Sequence, residues 1–113
     1  MRGKKKVEVQ PIAADTPVYS IGVAAQLLNE HPRTLRIYEE EGLLLPQRRN
    51  NLRLYSEADI QRVRIIRFLT RRRRVNLAGV RVILQLEALG KIRVYDLLDD
   101  EADEEPTLSE SHG

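Results

Sequence analysis

Apolar residues recur at helical spacing at Ile21, Ala24, Ala25 and Leu28, and Ser20 stands just ahead of them. A serine there can accept from an orphan amide of the first turn, so the pattern predicts a helix that begins after Ser20. Asn29-Glu30 then forms a tight turn. His31 or Asn29 can cap a second helix, with Pro32 near its first position, where a missing amide hydrogen costs nothing. Leu35 and Tyr38, three apart, give that helix an inward row; Arg33 and Arg36 share a neighbouring face. Gly42 is a left-handed stop. Two helices joined by so short a turn predict a helix-turn-helix, whose second helix enters a major groove.

The pattern changes from Pro46 to Tyr55. Asn50-Asn51 can adopt the positive φ of a tight hairpin with a short β segment on either side, which makes a wing. Ser56 caps a third helix, with Glu57 and Asp59 in the first turn, where the helix dipole favours acids. Its apolar stripe is read as Ile60, Val63, Ile66 or Arg67, and Leu69. Asn76 caps a fourth helix that runs to about Leu89 through Leu77, Val80, Ile83, Leu84 and Glu87, and Gly90 stops it. Ile92–Leu98 is a short amphipathic stretch. The expected fold class is mainly α, a winged helix-turn-helix with a small β wing and a truncated C-terminal region. The expected organisation is a flexible basic arm at 1–16, a DNA-binding unit at 17–90, and a short helix or disordered acidic tail at 91–113.

Composition narrows the chemistry. The 113 residues suffice for one domain, and with one Phe and no Trp its core must be built from Leu, Ile and Val. No cysteine is present, which excludes disulfides, thiolate metal sites and cysteine nucleophiles. His31 and His112 lie far apart, so no metal or other cofactor is expected. No paired carboxylates with a histidine, nucleophile elbow or phosphate loop can be assembled, so the protein is not expected to be an enzyme. Neither a leader pattern nor a long apolar run occurs, which predicts no membrane association and a cytoplasmic protein, one that would be nucleoid-associated if it binds DNA.

The net charge of +2 conceals an asymmetry. Eight acids and no Lys or Arg lie from Asp96 onward, which leaves 19 bases against 9 acids in residues 1–95. Such a basic front points to nucleic acid as partner, with a separate solvated tail.

Three spaced motifs carry a more specific resemblance. They are Tyr19-Ser20-Ile21-Gly22-Val23-Ala24, then Thr34-Leu35-Arg36-Ile37-Tyr38-Glu39-Glu40-Glu41-Gly42-Leu43-Leu44, then Arg53-Leu54-Tyr55-Ser56-Glu57-Ala58-Asp59-Ile60. Over about residues 18–89 the chain resembles the MerR family of bacterial transcription regulators. His31-Pro32-Arg33-Thr34-Leu35-Arg36 and Val75-Asn76-Leu77-Ala78-Gly79-Val80 look most like its heat-shock repressor branch. The resemblance implies a repressor of chaperone genes that binds inverted repeats in double-stranded DNA and responds to an Hsp70-type chaperone as co-repressor.

Arg33 and Arg36 would then reach base edges or adjacent phosphates; an arginine paired bidentately with guanine is worth about 1–3 kcal/mol of discrimination. Thr34 would meet backbone or a thymine methyl. By resemblance, Tyr38 would present its hydroxyl to the DNA backbone while its ring packs inward. Arg48, Arg49 and Arg53 of the wing would contact phosphates. Tyr19 completes the candidate set, although it and Tyr55 also suit core or hydrogen-bonding positions. Glu39, Glu40 and Glu41 are expected to face solvent, away from phosphate. Arg71 to Arg74 carry two readings, a complement to a helix dipole or a phosphate contact.

The family pattern also includes a long antiparallel coiled coil after the fourth helix, for which the residues after Gly90 are too few and too acidic. A homodimer or a cooperative oligomer on DNA is therefore expected to form through Ile92–Leu98 or through the DNA itself. The rival reading is an architectural DNA-binding factor of the phage excisionase type, which shares the winged plan.

Overall fold

The computed structural model describes residues 13–99. Most of the basic arm and all of the tail from residue 100 onward therefore lie outside the described residues. The order of elements is β1 (Pro17–Ser20), α1 (Ile21–Leu28), α2 (Pro32–Glu40), β2 (Gln47–Arg49), β3 (Leu52–Ser56), α3 (Glu57–Arg67) and α4 (Leu77–Ala88), with a π-helical turn at Phe68–Arg72 extending α3.

Local chemistry fixes most of the boundaries. Ser20 Oγ accepts from Val23 N at 3.2 Å and starts α1. Asn29 ends it in the left-handed region at φ 55°. At the end of α2, Gly42 N donates to Glu39 O and Leu43 N to Tyr38 O, the paired bonds of a Schellman motif, and Gly42 takes the φ of +77° that this motif requires. Asn50 and Asn51 both have positive φ, 52° and 68°, so the wing turns through a type I′ hairpin. α3 begins with a full capping box: Asp59 N donates to Ser56 Oγ at 3.1 Å, and Ser56 N to Asp59 Oδ2 at 2.9 Å.

Two features go beyond the sequence reading. Residues 17–20 are a strand, and the antiparallel sheet has the order β1-β3-β2, with Tyr19 opposite Tyr55. The wing is thus not an isolated hairpin but two strands of a three-stranded sheet. The second feature is the π-helical turn, with Arg73 over the Phe68 ring at 5.3 Å.

The core is continuous from Ala24, Ala25 and Leu28 through Leu35 and Tyr38 to Ile60, Val63, Ile65, Ile66, Val80 and Leu84. Ile65, absent from the predicted stripe, is fully buried. Val94 joins the same core, and Tyr95, Leu97 and Leu98 pack against it. That part of the stretch expected to offer a contact between protomers is turned onto its own domain.

Candidate nucleic-acid interface

The helix that carries the candidate residues is anchored from its first turn. His31 Nδ1 accepts from Arg33 N at 3.0 Å, so His31 is the N-cap, and Pro32 follows at the first helical position. That acceptor role requires Nδ1 to be unprotonated. Leu35 and Tyr38 are buried, and Thr34 is half-buried. Arg33, Arg36 and Ile37 are exposed. Ile37 was not singled out in the sequence; its apolar side chain sits one residue from Arg36 and four from Arg33, on the outward side of α2.

The wing lies against the end of this helix. In the β2–β3 register Arg48 stands directly opposite Arg53, a like-charged pair that is unfavourable on its own. Glu39 resolves it: Arg53 Nε donates to Glu39 Oε1 at 2.6 Å, and Arg48 Nη2 to Glu39 Oε2 at 3.2 Å. Each carboxylate oxygen thus holds one guanidinium. Burial raises the Glu39 pKa, but the hydrogen bonds and charges of Arg53 and Arg48 outweigh it and hold the carboxyl below its ordinary value. The Arg53 pKa is raised, chiefly by the hydrogen bond to Glu39.

Glu39 therefore departs from the expectation that all three glutamates face solvent. Two arginines of the wing reach it first, whereas Glu40 and Glu41 are exposed. Arg49, opposite Leu52, is exposed on β2.

A second ion cluster fastens the turn of the helix-turn-helix. Glu30, in the turn between α1 and α2, is bonded to Arg71 Nη2 at 2.7 Å and Arg67 Nη1 at 3.2 Å. Arg67 Nη1 also donates to the Leu28 carbonyl. The arginine run is thus divided in use, because Arg71 serves an internal ion pair. The Tyr38 ring packs inward, and its hydroxyl lies in the field of the same cluster; burial foremost raises its pKa, while Arg71 opposes the rise with a charge and a hydrogen bond.

Of the predicted residues, α2 and the wing bring Arg33, Thr34, Arg36, Arg48, Arg49 and Arg53 onto two joined elements. Tyr19 is engaged elsewhere: its hydroxyl donates to Glu57 Oε1 at 3.0 Å on the first turn of α3. That hydrogen bond is the main cause of its raised pKa. No signal in a single chain marks the partners of Glu39 or Glu30, since both bonds cross between elements.

Among the described residues no group of three or more His, Cys, Asp or Glu side chains could hold a metal ion. No described helix is long and apolar enough to cross a membrane.

Residues 19–87 match the family described as "MerR HTH family regulatory protein". A Streptomyces coelicolor protein named "Putative heat shock protein HspR" is 46% identical over 77 residues, which are 67% of this chain and 51% of that protein. The chain thus spans about half the length of that curated relative. The crystal structure of the transcription regulator PbrR691 from Ralstonia metallidurans CH34, in complex with lead(II), aligns at a TM-score of 0.60 and 30% identity over 81% of this chain and 75% of that one.

Proposed function

We propose, from the premise that the chain belongs to the MerR HTH family of regulatory proteins, that it is a repressor of heat-shock and chaperone genes that binds inverted-repeat operators in double-stranded DNA. The observation that carries the reading is that exposed Arg33 and Arg36 lie on α2, the helix whose Glu39 holds Arg48 and Arg53 of the wing. Similarity to the Streptomyces relative supports the heat-shock assignment.

In this reading Arg33 and Arg36 contact base edges or nearby phosphates, and Thr34 meets backbone or a thymine methyl. Ile37 offers a further apolar contact for a thymine methyl. The wing arginines bind phosphates and fix the register without reading sequence. The buried Tyr38 supports the helix from behind. Its hydroxyl is the group offered to the DNA backbone. The protein acts as a homodimer or cooperative oligomer in the cytoplasm, without catalysis, and an Hsp70-type chaperone is its co-repressor. The exposed apolar row of Val82 and Leu86 on α4 and Leu89 at its C-cap suits contact with a second protomer better than the inward-turned Val94 does.

Genome-wide DNA occupancy before and after heat shock, with Arg36→Ala as control, tests the proposal. Peaks at chaperone promoters that fade on heating and vanish in the variant are expected. Peaks confined to recombination sites would replace the repressor with an architectural factor, and the absence of variant-sensitive peaks would remove the DNA reading.

A further inference from the structure

The geometry points to Glu39 as a specificity-determining positioning residue, which aims the two wing arginines at the phosphates flanking the operator and withholds them from arbitrary DNA. The inference rests on the DNA-binding reading and deepens it.

A guanidinium has five N–H donors in a fixed planar fork. Glu39 accepts from Nε of Arg53 and from Nη2 of Arg48, so both Nη groups of Arg53, and Nε and Nη1 of Arg48, remain for another acceptor. A planar group held by one edge has its opposite edge aimed. The Glu39 carboxylate is thus a brace that orients donors without consuming them all.

Glu39 lies in the last turn of α2, three residues after Arg36, whereas Arg48 and Arg53 belong to neighbouring strands of the wing. The carboxylate therefore ties the phosphate-binding wing to the base-reading helix. Operator DNA can satisfy both at once, because its bases fix α2 while its backbone meets the wing. Arbitrary DNA lacks the bases that fix α2, so braced arginines meet its phosphates in no set register.

One carboxylate between two guanidiniums leaves the cluster with one net positive charge. Without it, two facing arginines repel and swing apart as independent cations. Free cations bind any phosphate, and each phosphate neutralised contributes a slope of about −0.9 to the dependence of log K on log salt.

The test compares wild type, Glu39→Gln and Glu39→Asp on two duplexes, one enriched from a random pool by wild-type protein and a shuffled one of equal length, over a salt series. Circular dichroism and thermal unfolding establish that each variant is folded. Glu39→Gln is expected to bind the enriched duplex more weakly and the shuffled duplex more tightly, so that the affinity ratio falls about tenfold or more. Its slope on shuffled DNA should steepen by about 0.9 for each arginine released. Glu39→Asp, which keeps the charge, should retain part of the ratio. An unchanged ratio in Glu39→Gln, whether both affinities fall, rise or stay, overturns the inference and leaves Glu39 a structural ion pair. Failure of wild type to enrich any duplex would instead remove the DNA-binding reading, and this inference with it.

Discussion

Glu30 and Arg71 form a 2.7 Å ion pair that joins the turn of the helix-turn-helix to the π-helical end of α3. The Glu30 side chain is only 8% exposed, and Arg67 reaches the same oxygen. This cluster fastens the turn between α1 and α2 to the end of α3. Glu30→Gln leaves Arg67 without its counter-charge in a half-buried position. Fully buried pairs lose about 3–5 kcal/mol when broken, and with Arg71 half-exposed the expected loss is about 1–3 kcal/mol by urea unfolding.

The same pair makes stability depend on pH. Burial raises the Glu30 pKa, but the hydrogen bonds and charges of Arg71 and Arg67 overcome it, and the folded value lies below the ordinary one. The unfolded chain therefore binds its proton first as pH falls. The contribution is complete above the ordinary glutamate value and disappears as pH drops through the lowered one. Urea midpoints over that acid window should fall less in Glu30→Gln than in wild type.

Gly79 opposes the usual gain from alanine in a helix. A Cβ there would come within 2.8 Å of Val75 Cγ1 and 3.3 Å of Asn76 Oδ1, the atom that caps α4. Valine is stiff at χ1, so it cannot easily swing aside. Helix propensity favours alanine by about 1 kcal/mol, and the clash together with the disturbed cap should exceed this. Gly79→Ala is expected to lower the thermal midpoint, whereas a raised midpoint would mean that Val75 gives way at little cost.

Ser56 links the wing to α3. Its hydroxyl accepts from Asp59 N and its amide donates to the Asp59 carboxylate, so Ser56→Ala removes one arm of the box and leaves the part-buried Asp59 amide without its side-chain acceptor. The expected cost is about 1 kcal/mol in thermal or chemical unfolding.

Arg36 and Arg49 should separate base reading from phosphate contact. Arg36→Ala is expected to cost about 1–3 kcal/mol on operator DNA and little on shuffled DNA. Arg49→Ala should weaken both alike and reduce the salt slope by about 0.9. Fluorescence anisotropy titrations over a salt series distinguish the two patterns.

Local signals made much of the fold legible in the sequence. Ser20, His31, Ser56 and Asn76 each cap a helix through their own side chains, and Asn50-Asn51 takes the positive φ that its hairpin needs. Elements that depend on distant partners escaped. Pro17–Ser20 has no strong strand pattern and becomes a strand because β3 pairs with it, through a register shift between Pro17 and Tyr19. Ile65 lies outside the predicted stripe because α3 is covered over a wide arc. At the candidate site, the outward arginines of α2 followed from helical spacing. The partners of Glu39 could not, because its ion pairs exist only once the wing has folded back.

The pairing of β1 with β3 also has a consequence for the order in which the molecule assembles. Tyr19 and Tyr55 meet across the whole helix-turn-helix, so the pairing of β1 is a long-range closure that is expected to follow the locally formed parts. The two helices and the β2–β3 hairpin draw on neighbours in sequence and can form early. The first strand is expected to find its place after them. Folding slowed by a weakened β1, with little change in helix formation, would be the kinetic signature of that sequence of events, and the wing would acquire its fixed attitude only at the final step.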